Sequence, residues 1–123
     1  MALNVHGFEN GANSSFKIVQ ETSSGTTLVE NATGGAGRIY CITLTNTDNS
    51  NAGIAKFFLK DATTPTVGTT EPDLVLVCGS NTTERYEFPG GLPFTVLSFY
   101  TSRNLATSDT TAPGTTKVVI LCS

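Results

Sequence analysis

Short apolar runs separated by Gly, Pro, Asn and Thr turn signals leave this chain few folds. From residue 16 onward such runs fall at 16–20, 26–30, 37–46, 54–61, 73–78, 82–88, 94–100 and 115–122. No stretch sustains a helical period of useful length, whereas several alternate apolar and polar residues with the period of a strand. The pattern predicts an all-β chain: a single antiparallel β-sandwich, jelly-roll-like, of about eight strands. A length of 123 residues suits one domain.

Composition supports that class. Only 14% of residues are charged, against about a quarter in an average soluble protein. Thr, Ser, Asn and Gly fill the gap, the first favoured in strands and the others in turns. The net charge is -3, and the seven Lys and Arg are scattered. Nucleic acid is therefore not an expected partner, because phosphate backbones are held by clustered cations. No apolar run approaches the roughly 20 residues of a membrane-spanning helix. Residues 1–7 lack the basic and apolar segments of a signal peptide, so synthesis and assembly are expected in a cytoplasm.

Along the chain, residues 1–15 are polar and glycine-containing, with isolated Leu3, Val5 and Phe8. They read as an N-terminal arm that orders against a neighbouring subunit, or as plain disorder, and residues 16–123 as the sandwich domain. Runs 16–20 and 26–30 predict a hairpin around a turn at 21–25. The run 37–46 is apolar on both faces and predicts a central strand. In 54–61, Ala55, Phe57 and Leu59 share one face while Lys56, Phe58 and Lys60 share the other. That places Phe58 on a wet face between two lysines, either an incidental exposed ring or a contact with another chain.

Residues 84–102 hold the densest aromatic cluster, around Pro89-Gly90-Gly91-Leu92-Pro93. Gly90 and Gly91 permit backbone angles that other residues avoid, and the prolines stiffen both sides. The stretch predicts a rigid core hairpin with Leu92 at its tip.

Residues that carry chemistry are sparse. His6 is the one histidine and lies in the arm, which leaves no histidine for a triad or metal cluster in the sandwich. Glu84 and Glu87 fall on opposite faces of a strand. Residues 48–53 resemble a calcium loop only in part, since its bidentate acid would fall on Leu59. Gly34, Gly35 and Gly37 lack the lysine and helix of a phosphate loop. Cys41, Cys78 and Cys122 are odd in number, widely spaced and set in apolar runs, and read as buried free thiols. The Asn-X-Ser/Thr sequons at Asn13, Asn31 and Asn81 are expected by chance in so Asn- and Thr-rich a chain. We expect no cofactor, no metal and no catalytic residues.

From Gly37 onward, about two-thirds of the chain, the order of features is distinctive. Gly37-Arg38-Ile39-Tyr40-Cys41-Ile42-Thr43-Leu44-Thr45-Asn46 precedes Phe57-Phe58-Leu59-Lys60-Asp61 and a Thr/Pro loop. Asp73 and its apolar strand follow, then Phe88-Pro89-Gly90-Gly91-Leu92-Pro93-Phe94. A loop at 108–114 and the terminal Val118-Val119-Ile120-Leu121 complete the series. This resembles the small β-sandwich proteins of tailed-phage virions, especially the capsid cement (decoration) proteins of aquatic and cyanobacterial phages. The resemblance implies a homotrimer on the exterior of the virion capsid that bridges subunits of the major capsid protein, with no catalytic residues. Related domains in tails and fibres offer a second role, binding a host receptor or glycan; a cellular β-sandwich binding module is a third. Leu3, Val5, Phe8, Phe58 and Leu92 are the candidate contact residues.

Overall fold

The structure, a computed structural model, describes residues 3–7 and 16–123, and side chains at 3–5 and 16–123. Eight strands follow in order: β1 Leu3–Gly7, β2 Lys17–Ser24, β3 Gly37–Asn46, β4 Gly53–Phe58, β5 Leu74–Cys78, β6 Thr82–Phe94, β7 Ser98–Ser102 and β8 Thr116–Cys122. They form two antiparallel sheets, a five-stranded one in the order β1-β2-β8-β3-β6 and a three-stranded one in the order β5-β4-β7. The all-β prediction is met.

Alternation along the strands aims one set of side chains inward. Val19, Ile39, Ile42, Leu44, Val118 and Ile120 come from the larger sheet. Ala55, Phe57, Leu76 and Phe99 meet them from the smaller. The Phe57 and Phe99 rings are tilted, 5.6 Å apart. Each fully buried Val, Leu, Ile or Phe among them contributes about 1.5–3 kcal/mol. The thiols of Cys41, Cys78 and Cys122 are free and buried, as expected. That of Cys78 donates to the carbonyls of Thr82 and Leu44 at 3.3 and 3.5 Å.

Three local expectations are corrected. The turn expected at 21–25 is strand: β2 runs on to Ser24, inward-facing Glu21 is fully buried, and Ser24 Oγ lies 2.6 Å from Thr101 Oγ1 of β7. Ser24, which reads as part of a turn, is instead buried through a tertiary hydrogen bond. Residues 26–30 consequently do not form a hairpin with β2. They cross to the smaller sheet, where Val29 exchanges backbone hydrogen bonds with Phe99 at 2.8 and 3.0 Å, and Ala32 N–H donates to Leu97 O at 2.7 Å. The Pro-Gly-Gly-Leu-Pro segment is not a hairpin corner either. β6 passes straight through it as an edge strand, and register shifts between Ile39↔Leu92 and Cys41↔Glu87. Pro and Gly mark bulges in edge strands as readily as turns. Gly90 and Gly91 take φ of 82° and 87°, and Arg38 Nη1 donates to their carbonyl oxygens at 3.5 and 3.2 Å. The real change of direction is at 95–97, where the chain crosses from one sheet to the other.

Candidate interaction surface

Phe58 lies on the outer face of the smaller sheet, as alternation predicts, but it is 1% exposed. It is not on a wet face, and the expectation of an exposed contact ring is corrected. Its ring stacks 6.0 Å from Tyr100, and Lys56 Nζ sits 5.4 Å over the same Tyr100 ring. Two loops roof this row. Lys56 Nζ donates to Ala106 O at 2.7 Å, and Asn104 N–H donates to Asp109 Oδ2 at 2.8 Å inside the same loop. The loop between β4 and β5 meets it where Gly68 lies against Thr110. Burial pushes the Lys56 ammonium below its ordinary pKa, against the attraction of Asp109. Burial also pushes the Tyr100 phenol up, opposed by the Gly68 backbone amide. Hydrogen bonds from Thr111 and Asn104 hold the Asp109 carboxyl below the usual range.

Leu92 is not at a tip. It pairs with Ile39 and is half-buried against the core. Leu3 and Val5 are 37% and 43% exposed on β1, the edge strand beside β2. Part of the predicted arm, residues 3–7, is thus paired as a strand. Phe8 lies outside the described residues.

The larger sheet has an outer face of a different kind. On β8, Val118, Ile120 and Cys122 fill the core, so Val119 and Leu121 point outward. Leu121 pairs with Ile18 on one side and Cys41 on the other, while Val119 pairs with Gln20 and Thr43. Beside them the rings of Phe16 and Tyr40 meet at 5.5 Å. Phe16, Ile18, Tyr40, Val119 and Leu121 are half-buried, and among the described residues no strand packs across them. An antiparallel sheet with one wet face ordinarily makes that face polar. Arg85, paired with Glu87 at 3.0 Å, and Lys117 lie on the same face at its margins. The signal was present in the terminal run: Val118-Val119-Ile120-Leu121 is apolar at every position, hence on both faces of a strand.

A cleft of about 410 Å³ opens between Leu59, Lys60, Asp73, Pro93, Phe94 and Thr95. Its polar groups are committed to the fold: Asp73 accepts from Leu59 N–H at 2.7 Å and pairs with Lys60 at 3.5 Å. A smaller cleft of about 130 Å³ lies near Glu30, Asp61 and Thr64, where Thr64 Oγ1 donates to Glu30 Oε1 at 2.6 Å. In the loop at 48–53, Asp48 Oδ1 accepts from the N–H groups of Ser50 and Asn51 at 2.7 Å each. Those bonds hold its pKa below the ordinary value and use the carboxylate to build a turn. Among the described residues no group of three or more His, Cys, Asp or Glu could hold a metal ion. Comparison with protein-family models, curated proteins and solved structures returns no match.

Proposed function

We propose that this chain is a structural subunit of a tailed-phage virion, a capsid cement protein that trimerises on the shell exterior and bridges major capsid protein subunits. The observation that carries the reading is the outer face of the five-stranded sheet, apolar at Phe16, Ile18, Tyr40, Val119 and Leu121 and uncovered by any described strand. The resemblance to cement proteins from Gly37 onward supplies the setting. The mechanism is mechanical. Apolar surface removed from water stabilises a contact by roughly 25 cal/mol per Å², and many copies on one shell make modest single contacts sufficient.

The test mixes purified protein with capsids lacking it and, separately, with host cells. Wild-type chain is expected to sediment with the capsids, while Leu121→Lys stays in the supernatant although it melts like wild type. Retention on host cells and not on capsids overturns the reading in favour of a tail or fibre module.

A further inference from the structure

β1 is attached to the sandwich through one neighbour. It stands at the end of the five-stranded sheet and pairs with β2 alone, from Leu3↔Glu21 to Gly7↔Lys17. Val5 pairs with Val19 and so projects on the core side of the sheet, where Val19 is fully buried. Yet Leu3 and Val5 remain 37% and 43% exposed, among the few large apolar side chains that are. Its described side chains, Leu3, Asn4 and Val5, are all exposed, so the backbone ladder carries much of its attachment.

We infer that β1 is an exchangeable strand: the edge of β2 receives β1 from a second copy of this chain, and each copy lends its own in turn. Three observations carry this. Every copy presents the same β2 edge, already complementary to β1 in a defined register. Exchange therefore keeps each backbone hydrogen bond of the closed subunit, which is why swapping identical elements is a low-cost route to oligomers. The link between the strands, residues 8–16, is long for an antiparallel pair. Two residues suffice to close a hairpin, whereas a link of this length spans up to roughly 30 Å; the register does not require both strands to come from one copy. Finally, Leu3 and Val5 are still 37% and 43% exposed in the single subunit, and a strand laid across a subunit boundary places them beside a second body that can bury them further. The inference goes beyond the capsid assignment and holds or fails apart from it.

The test uses the Val5↔Val19 pair. Chains carrying Val5→Cys and chains carrying Val19→Cys are co-expressed with different tags and oxidised mildly. Exchange joins the two tags in a covalent species that neither single variant nor wild type forms. The double variant then gives a covalent ladder, which ends at the trimer if the strands pass around a three-fold ring. A double variant found only as an internally cross-linked monomer, with the single variants uncoupled, overturns the inference.

Discussion

On the three-stranded sheet, the outward side chains Lys56, Phe58 and Tyr100 are 0%, 1% and 0% exposed. On the five-stranded sheet, the outward side chains Ile18, Val119 and Leu121 are half-buried with no strand across them among the described residues. The first row is roofed by the chain's own loops, with Ala106 O capping the Lys56 ammonium and Gly68 packed on Thr110. Among the described residues, the second is flanked by the paired strands of its own sheet and no strand crosses it. A large aromatic on an outward face therefore says little about contact with other molecules. The informative feature is whether the connecting segments of the same chain return to cover it.

The widest separation between the two faces comes from placing one charge on each. Phe58→Asp puts a carboxylate against the Tyr100 ring in a buried row. Lys56 shares that row with its ammonium on Ala106 O, and pairing it with the new carboxylate would still hold two charges out of water. A buried charge together with a lost ring should cost more than about 4 kcal/mol, much of the 5–15 kcal/mol that holds a domain of this size. Urea unfolding should show the midpoint collapsing or the chain failing to accumulate. A midpoint within reach of wild type would mean that the roof over Phe58 opens readily and that the two faces are alike.

Most strands were legible in the sequence because their side chains alternate or run continuously apolar: β3, β4, β5 and β8 lie where apolar runs predicted them. What was not legible depends on contacts distant in sequence. Phe58 alternates correctly, but it lies in a buried row with Tyr100, where the neighbouring Lys56 reaches Ala106 O, 50 positions on in sequence. Pro89 to Pro93 carries every local mark of a turn, yet it bulges because β3 continues past it on the other side. Residues 21–24 are polar in sequence and strand in structure because Ser24 finds Thr101. The outward row of the larger sheet was half legible. The double-sided apolarity of 118–121 could be read, while its alignment with Ile18 and Tyr40 required the strand order.

A middle-sized effect is expected at the bulge, on the margin of the open face. A Cβ at Gly91 would sit 2.9 Å from Arg38 Cβ and from Tyr40 Cε1, at φ of +87°. Gly91→Ala should cost about 1–3 kcal/mol from the backbone angle and the contact together. Gly90 has φ of +82° but open space around it, so Gly90→Ala should cost only the backbone part, about 1 kcal/mol. Equal losses in thermal unfolding would mean that Tyr40 yields freely and that the open face is less firmly built than the roofed one.

Lys56 probes the roof itself. Replacing a buried charge by an apolar side chain of similar length is often neutral, so Lys56→Met should stay within about 1 kcal/mol of wild type near neutral pH. The difference lies in pH dependence. Burial depresses the Lys56 pKa in the folded state. As pH rises through that folded value toward 10.5, the unfolded chain binds more protons, and wild type gains stability relative to Lys56→Met. Tyr100 acts oppositely, because its raised pKa makes the unfolded chain lose its proton first above pH 10. Denaturant midpoints from pH 8 to 10 should therefore rise for wild type relative to the variant. A constant difference would mean that water reaches the ammonium beneath Ala106.

The smallest effect on stability should come from the side where a partner is proposed. Val119 points away from the core, between Gln20 and Thr43, so Val119→Lys can extend its stem along the sheet and leave its ammonium in water. Stability should change by no more than about 0.5 kcal/mol. Retention on capsids should nevertheless fall at least tenfold, because burying that ammonium against another chain carries a desolvation penalty that the free subunit never meets. The paired outcome, with folding untouched and docking lost, distinguishes a face finished by another molecule from one finished by its own loops. If Val119→Lys unfolds the chain instead, some part of the same chain already lies over that row, and the contrast between the two sheets disappears.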